Sequence, residues 1–440
     1  MRWTNPWFFG GIACALLNAC GDDADGAGPG GGGVVSESGG SGGGGGQPPT
    51  AELVFGPCPA GYVDECATLA VPLDHETPDG ETIELFIARR RSAAPASRQL
   101  WLLSGGPGQA GYVFETLVPV LADAIPGTDV YVVDHRGTGR SHRLTCAAQE
   151  GPNTFGGYAL PVEQVPACLD ELRDGGDYDR LAYFTTTQAA RDVLAAVRAT
   201  RPDGKSVFVY GGSYGTHWAH RVVQLEQGEI AGVFFDGFMT PEAFSFTHYD
   251  EGVEEVGAIL SAACAEDASC AARLGSDPLG RAEQLWSALD ADPCGPYDGE
   301  LGRTVVSLFV DQGFYEKAFV FPLIHRLERC SAEDLAAIEH LVDTYFGALG
   351  AQTAPPLNSG ILQYNIVLSE LWSVPGEPER TPAELEAAAE AQTFLVQASY
   401  PAMVAPLRAS WPLPPDDYTD LPVPAPTSKP LLWLSGGLDS

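Results

Sequence analysis

Three glycine-rich stretches carry the residues that could do chemistry: "SGGPG" at Ser104 to Gly108, "DHRGTGRS" at Asp134 to Ser141, and "GGSYG" at Gly211 to Gly215. The last has the spacing G-x-S-x-G and lies between a β-branched run, "KSVFVY", and a helix-like one, "THWAHRVVQLEQGE". A serine on so sharp a strand-to-helix turn is strained, needs small neighbours, and projects its hydroxyl from the strand end with a helix N-terminus behind it. Gly211 and Gly215 supply the room, and Ser213 is the candidate nucleophile. The matching chemistry is acyl transfer, which needs two backbone N–H donors aimed at the developing oxyanion. Tyr214, following the nucleophile, offers one. The "SGGPG" loop offers the other, from Gly106 first and Gly105 next, each donor contributing about 3–4 kcal/mol to the transition state. "DHRGTGRS" reads as a structural loop with Arg136 buried against carboxylates.

Each of these loops follows an apolar run. "QLWLL", "DVYVV" and "SVFVY" are short strands, "IAGVFFDG" is another, and "TTTQAARDVLAAVRAT" is a Thr-capped helix. The helix after "GGSYG" is expected to end at Gly228. Ahead of them, "YVDECATLAVPLD" and "TIELFIARRRS" read as an antiparallel ribbon. Wholly apolar strands alternating with helices predict an α/β domain, its mostly parallel sheet covered on both faces. Residues 241–425 break the rhythm with helix-like sequence rich in Ala, Glu and Leu, punctuated by "PPLNSG" and Pro-rich runs, and read as an inserted lid. At 426–440 the strand pattern returns in "PLLWLSG", an apolar strand expected to be buried. The core is thus expected in two parts, 51–240 and 426–440.

The formal net charge is −34 with only three lysines, Lys205, Lys317 and Lys429. That excludes a nucleic-acid footprint and charge-driven docking on anionic lipid; a peptide or small-molecule substrate fits better. Residues 1–20 resemble a lipoprotein-type export signal: Arg2, a short apolar core, then "LNAC" ending at Cys20, the candidate lipidation site and the expected membrane link, with plain secretion the alternative because Asn18 is unusual in that box. Residues 21–50 are nearly all Gly, Asp and Ser, a flexible tether. Without Cys14 and Cys20, eight of the ten cysteines remain. An even count in an exported chain suggests disulfides, most simply between neighbours: Cys58–Cys66, Cys146–Cys168, Cys264–Cys270 and Cys294–Cys330. The sequence has neither a clustered Cys/His metal set nor a dinucleotide fingerprint, so no metal and no cofactor are expected.

"SGGPG", "DHRGTGRS" and "GGSYGT", in this order, with "ECATLAVPLDHETPDGETIELFIARR" before them and "FFDGFMTP" after, are similar to the prolyl aminopeptidase and tripeptidyl aminopeptidase family of α/β-hydrolase serine exopeptidases, in its secreted bacterial branch. The resemblance covers about residues 55–250 and 429–440. Ser104 departs from it, since many members carry His there. It implies an α/β-hydrolase fold and a Ser–Asp–His triad in chain order, with the acid after a late strand. "PLLWLSGGLDS" has that form and places the acid at Asp439, with Asp236 as the fallback. A histidine should follow Asp439, but only Ser440 does, and the eight histidines at 75, 135, 142, 217, 220, 248, 325 and 340 all precede it. The expectation is a natural chain that continues into a histidine loop and a final helix; an inactive protein is the alternative.

The leading functional reading is therefore an exported aminopeptidase, with lid acids such as Glu242, Asp250, Glu251, Glu254 and Glu255 available to a substrate ammonium. An esterase or lipase on the same machinery and a non-catalytic surface-anchored binding module remain open beside it.

Overall fold

The computed structural model describes residues 53–62, 64–151, 154–201, 204–237, 244–311, 316–350, 356–374, 376–395, 400–412 and 429–434. Cys20, Glu242 and Asp439 lie outside the described residues.

Eight strands form one sheet. They are β1 (Gly56–Pro57), β2 (Glu65–Pro72), β3 (Thr82–Arg90), β4 (Arg98–Leu103), β5 (Thr128–Val133), β6 (Ser206–Gly212), β7 (Gly232–Asp236) and β8 (Leu431–Leu434), in spatial order β1-β2-β3-β5-β4-β6-β7-β8. The leading ribbon is antiparallel, pairing Glu65 with Arg89 through Pro72 with Thr82. From β5 to β8 every neighbouring pair is parallel. Every residue of β5 is buried, as a central strand covered on both faces requires.

The two faces carry separate cores. On one, α3 (Thr186–Thr200) and α4 (Tyr214–Leu225) set Val193, Val197, Trp218 and Val222 against Trp101, Tyr131 and Val209. On the other, α1 (Leu117–Ala124) sets Val118 against Leu100, Leu102, Val130 and Val132. The Thr185 side chain caps α3 by accepting the Gln188 N–H. Helix α2 (Val165–Gly175) adds Val165, Cys168 and Leu172 to the first core.

Two sequence expectations are corrected. Helix α4 ends at Leu225 rather than Gly228, because Glu226 turns extended and its carboxylate accepts the Gly228 N–H at 2.6 Å. Strand β8 is not buried: Leu432, Trp433 and Leu434 are 48, 48 and 47 % exposed. Among the described residues it pairs with β7, where Trp433 packs edge-on against Phe235.

Between β7 and β8 the chain is helical: α5 (Tyr249–Glu266), α6 (Ala268–Leu274), α7 (Pro278–Ala291), α8 (Gly299–Asp311), α9 (Val320–Arg329), α10 (Ala332–Gly350), α11 (Gly360–Ser369), α12 (Pro382–Ala391) and α13 (Tyr400–Ser410). Local signals start several of them. Asp267 and Asp277 cap α6 and α7, and Thr381 with Glu384 forms a capping box on α12. Helix α11 stands apart, since all ten of its residues are buried. The four disulfides join the expected neighbours, Cys58–Cys66, Cys146–Cys168, Cys264–Cys270 and Cys294–Cys330.

Candidate active site

Strand β6 runs into helix α4 through a single strained residue, Ser213. Its φ of 53° and ψ of −128° put a non-glycine residue where side chains rarely sit, between the last residue of β6 and the first of α4. The neighbours show why glycine is needed on either side. A Cβ on Gly211 would collide with the Gly215 carbonyl, and one on Gly215 with the Leu103 carbonyl. The Ser213 N–H donates to the Asp236 carbonyl at 2.8 Å, which ties the turn to the end of β7. Helix α4 starts at once with Tyr214, so its positive N-terminal end lies directly behind the serine.

The "SGGPG" loop comes to the same place from β4. A Cβ on Gly105 would lie 3.0 Å from the Ser213 Cβ and 3.5 Å from its Oγ, so glycine is what lets this backbone approach. Gly106 packs instead beside Gly108, Gln109 and Tyr158. The Ser104 hydroxyl closes the loop on itself by donating to the Gln109 carbonyl at 2.8 Å. Ser213, Tyr214 and Gly105 thus meet at the C-terminal edge of the sheet.

Beneath Tyr214 runs a buried polar chain. The His135 Nδ1 lies 2.6 Å from the Arg136 carbonyl, which can only accept, so Nδ1 carries the proton and Nε2 accepts from the Tyr214 hydroxyl at 3.2 Å. That hydroxyl in turn lies 2.6 Å from Thr186 Oγ1. Burial pushes the His135 pKa down to about 4, which keeps the ring neutral. His217 and His220 are buried in helix α4, and burial with the nearby Arg221 lowers both, His220 to about 4.

The third loop is a structural hub. Asp134 is buried and accepts from the Tyr62 hydroxyl at 2.5 Å, the Gly111 N–H at 2.7 Å and the Arg140 N–H at 2.8 Å. Burial still raises its pKa to about 6 against those donors. Next to it, the buried Arg136 grips Asp192 through two hydrogen bonds of 2.7 and 2.6 Å and donates to the carbonyls of Pro72, Leu73 and Tyr183. Burial opposes the ionisation of Asp192, but Arg136 and His75 outweigh it and hold the carboxyl below its usual range.

Asp236 places its carboxylate against the Tyr210 hydroxyl at 2.7 Å, on the side of the elbow where Gly212 faces. Burial and then this carboxylate push the Tyr210 pKa up. Two of the acids noted for an ammonium are engaged. Glu251 pairs with Arg380 at 2.7 Å, and Glu254 accepts the N–H groups of Thr393 and Phe394 at 2.9 Å. Asp250 is buried and Glu255 exposed. No group of His, Cys, Asp and Glu suited to a metal ion occurs among the described residues.

Sequence reasoning missed the residues that hold the "SGGPG" loop from outside. "PPLNSG" reads as punctuation, yet Asn358 and Ser359 bind that loop directly. The signal for them lies in the stretch that follows: "GILQYNIVLS" has no charge and no polar face, the mark of a helix buried all round.

Residues 100–253 match the family model described as the alpha/beta hydrolase fold, and the chain has that fold. Over 264 residues it is 28% identical to the serine protease Hip1 of Mycobacterium tuberculosis and of Mycobacterium bovis, covering 54% of this chain and 49% of theirs. The chain therefore spans about half the length of the curated relatives it matches. Among solved structures, a proline iminopeptidase of Mycobacterium smegmatis is similar at 17% identity and a TM-score of 0.28, over 50% of this chain and 60% of that one. A Vigna radiata epoxide hydrolase variant is similar at 13% identity and a TM-score of 0.23, over 42% and 38%.

Proposed function

We propose that the protein is an exported serine hydrolase that releases N-terminal residues or short peptides through an acyl-enzyme. The observation that carries the chemistry is the strained Ser213, held between two obligatory glycines with the Gly105 backbone against its side chain. The similarity to a serine protease supports a peptide substrate. In this reading the Ser213 Oγ adds to the substrate carbonyl carbon, and its proton passes to a histidine base. The N–H groups of Tyr214 and of Gly105 or Gly106 receive the oxyanion. Collapse breaks the C–N bond, the base returns the proton to the leaving amine, and water then hydrolyses the ester. Asp439 is the acid that orients the base, which the family resemblance puts after it in chain order.

Export is the second part of the proposal. The four disulfides fit an oxidising compartment. No described helix is long and apolar enough to cross a membrane. Cys20, at the end of the export-signal pattern, is proposed as the lipid anchor.

The test uses the protein as its gene encodes it. A fluorophosphonate should label Ser213, and Ser213→Ala should abolish labelling with hydrolysis falling by about 10⁶-fold. Free-amine aminoacyl- or tripeptidyl-anilides should be cleaved and their N-acetyl forms spared. Cleavage of p-nitrophenyl esters alone would move the substrate class to esters, and an unlabelled Ser213 would leave a binding module.

A further inference from the structure

We infer that Asn358 is a positioning residue for the oxyanion loop, acting through the Ala110 N–H while its neighbour Ser359 holds the Gly108 carbonyl; this rests on the serine-hydrolase reading. The loop 104–110 has few ties of its own: the Ser104 hydroxyl to the Gln109 carbonyl, and a long 3.4 Å bond from the Gln109 N–H to the Gly105 carbonyl. What holds it in place comes from a segment 248 residues away in sequence. The Asn358 Oδ1 accepts the Ala110 N–H at 3.0 Å, and the Ser359 N–H donates to the Gly108 carbonyl at 2.8 Å. A Cβ on Gly108 would collide with the Ser359 carbonyl, so the two backbones touch there.

Asn358 is itself fully used. Its Nδ2 donates to the Tyr112 hydroxyl at 3.1 Å and the Phe155 carbonyl at 2.9 Å. Its N–H donates to the Gly156 carbonyl at 2.8 Å, and its carbonyl accepts from Arg143 Nε at 2.9 Å. It is 4 % exposed, and its side-chain amide is aimed by partners on separate segments. The residue before it extends the clasp, since the Leu357 carbonyl accepts the Gly139 N–H at 2.6 Å.

Helix α11, which this clasp opens, also reaches the other donor. Just past its far end the Glu370 carboxylate accepts the Thr186 N–H at 2.9 Å, and the Thr186 hydroxyl meets that of Tyr214. Ten buried residues, about 15 Å of helix, therefore separate the support of the Gly105–Gly106 donors from that of the Tyr214 donor. A displacement of about 1 Å in such a site costs about 10²-fold in rate.

The experiment compares two buried amides of one segment. Asn365, in the middle of α11, donates to the Leu181 and Phe184 carbonyls and accepts from Trp411 Nε1, and it makes none of the contacts that Asn358 makes to the oxyanion loop. In the full-length protein, with active sites titrated by fluorophosphonate, Asn358→Ala should lower kcat for an ester or anilide by about 10²-fold with KM little changed. Asn365→Ala should lower the melting temperature comparably and leave kcat per active site near that of the parent. If the alanine variant does not fold, Asn358→Ser removes the same direct acceptor and carries the same expectation. Equal kcat in the Asn358 and Asn365 variants, or a loss at Asn358 confined to KM, would overturn the inference alone. A parent enzyme that neither labels nor hydrolyses would overturn the serine-hydrolase reading, and the inference with it.

Discussion

Helices α10 and α11 come from the same stretch of chain and are used in opposite ways. Helix α10 begins beside Ser331 and carries Asp334, whose carboxylate accepts from the Ser331 hydroxyl and pairs with Arg326 and Arg329. It turns Glu333, Ala336 and Glu339 to solvent. Helix α11 has no charged residue and no exposed one. It is a helix of the core, reached only after the chain has passed through α5 to α10. The helical stretch between β7 and β8 therefore supplies both a peripheral helical layer and a central support. What separates the two is the absence of a polar face on α11, a pattern that only complete burial stabilises.

Placing the same charge in each helix tests this contrast most directly. Ile366→Asp in α11 should cost about 4 kcal/mol or more and leave little folded protein, because an unpaired carboxylate would be buried. Ala336→Asp in α10 should stay within about 0.5 kcal/mol. Urea unfolding of both variants checks this, and similar losses would show that α11 is not a core helix. A somewhat smaller effect is expected at a disulfide among the outer helices. Cys294 and Cys330 are 36 residues apart, so in the chain-entropy model replacing both with serine should cost about 4 kcal/mol. The rate per titrated active site should not change, since this bridge lies outside the loops around Ser213; a fall in kcat would tie the outer layer to the site.

Acid should weaken the core next. His135 and His220 have native pKa values lowered by burial to about 4. Their contribution is fully present above the unfolded value near 6.5 and is lost as pH falls toward 4, because the unfolded chain takes up protons that the native one refuses. Asp134 has the opposite sign. Its native pKa of about 6 means that its stabilising contribution is full below the unfolded value of 3.8 and lost as pH rises through 6. Three lowered histidines, His135, His217 and His220, against one raised carboxyl should give a net fall in melting temperature as pH drops below about 6.5, and His135→Phe should make that fall shallower. The smallest effect belongs to the outer surface. Arg281 pairs with Glu328 near solvent, and Arg281→Ala should change stability by no more than about 1 kcal/mol, read by the same urea titration.

The strained turn at Ser213 is legible in the sequence because its glycine spacing is local. Gly211, Ser213 and Gly215 lie within one short turn, and the clashes that require the glycines involve the turn itself and the strand beside it. The antiparallel ribbon, the parallel strands and the Thr185 cap follow equally from short-range pattern, and each disulfide joins sequence neighbours. The end of α4 falls short of Gly228 because a side chain, Glu226, stops the helix before the glycine does.

Local sequence was thus sufficient for the position of the Ser213 turn, for the order of the glycine-rich loops along the chain and for the cysteine pairs, since these are written in residues close along the chain, although the Leu103 carbonyl that requires Gly215 comes from β4. Long-range packing alone settled that Asn358 meets Ala110, that Glu370 supports Thr186 beneath Tyr214, and that β8 pairs with β7. An apolar quartet such as Leu431–Leu434 does not name its partner strand, and an asparagine in a Pro-rich stretch reads as a turn. Hydrogen bonds between residues 248 and 184 positions apart leave no periodicity to read, because their partners are chosen by packing and not by spacing.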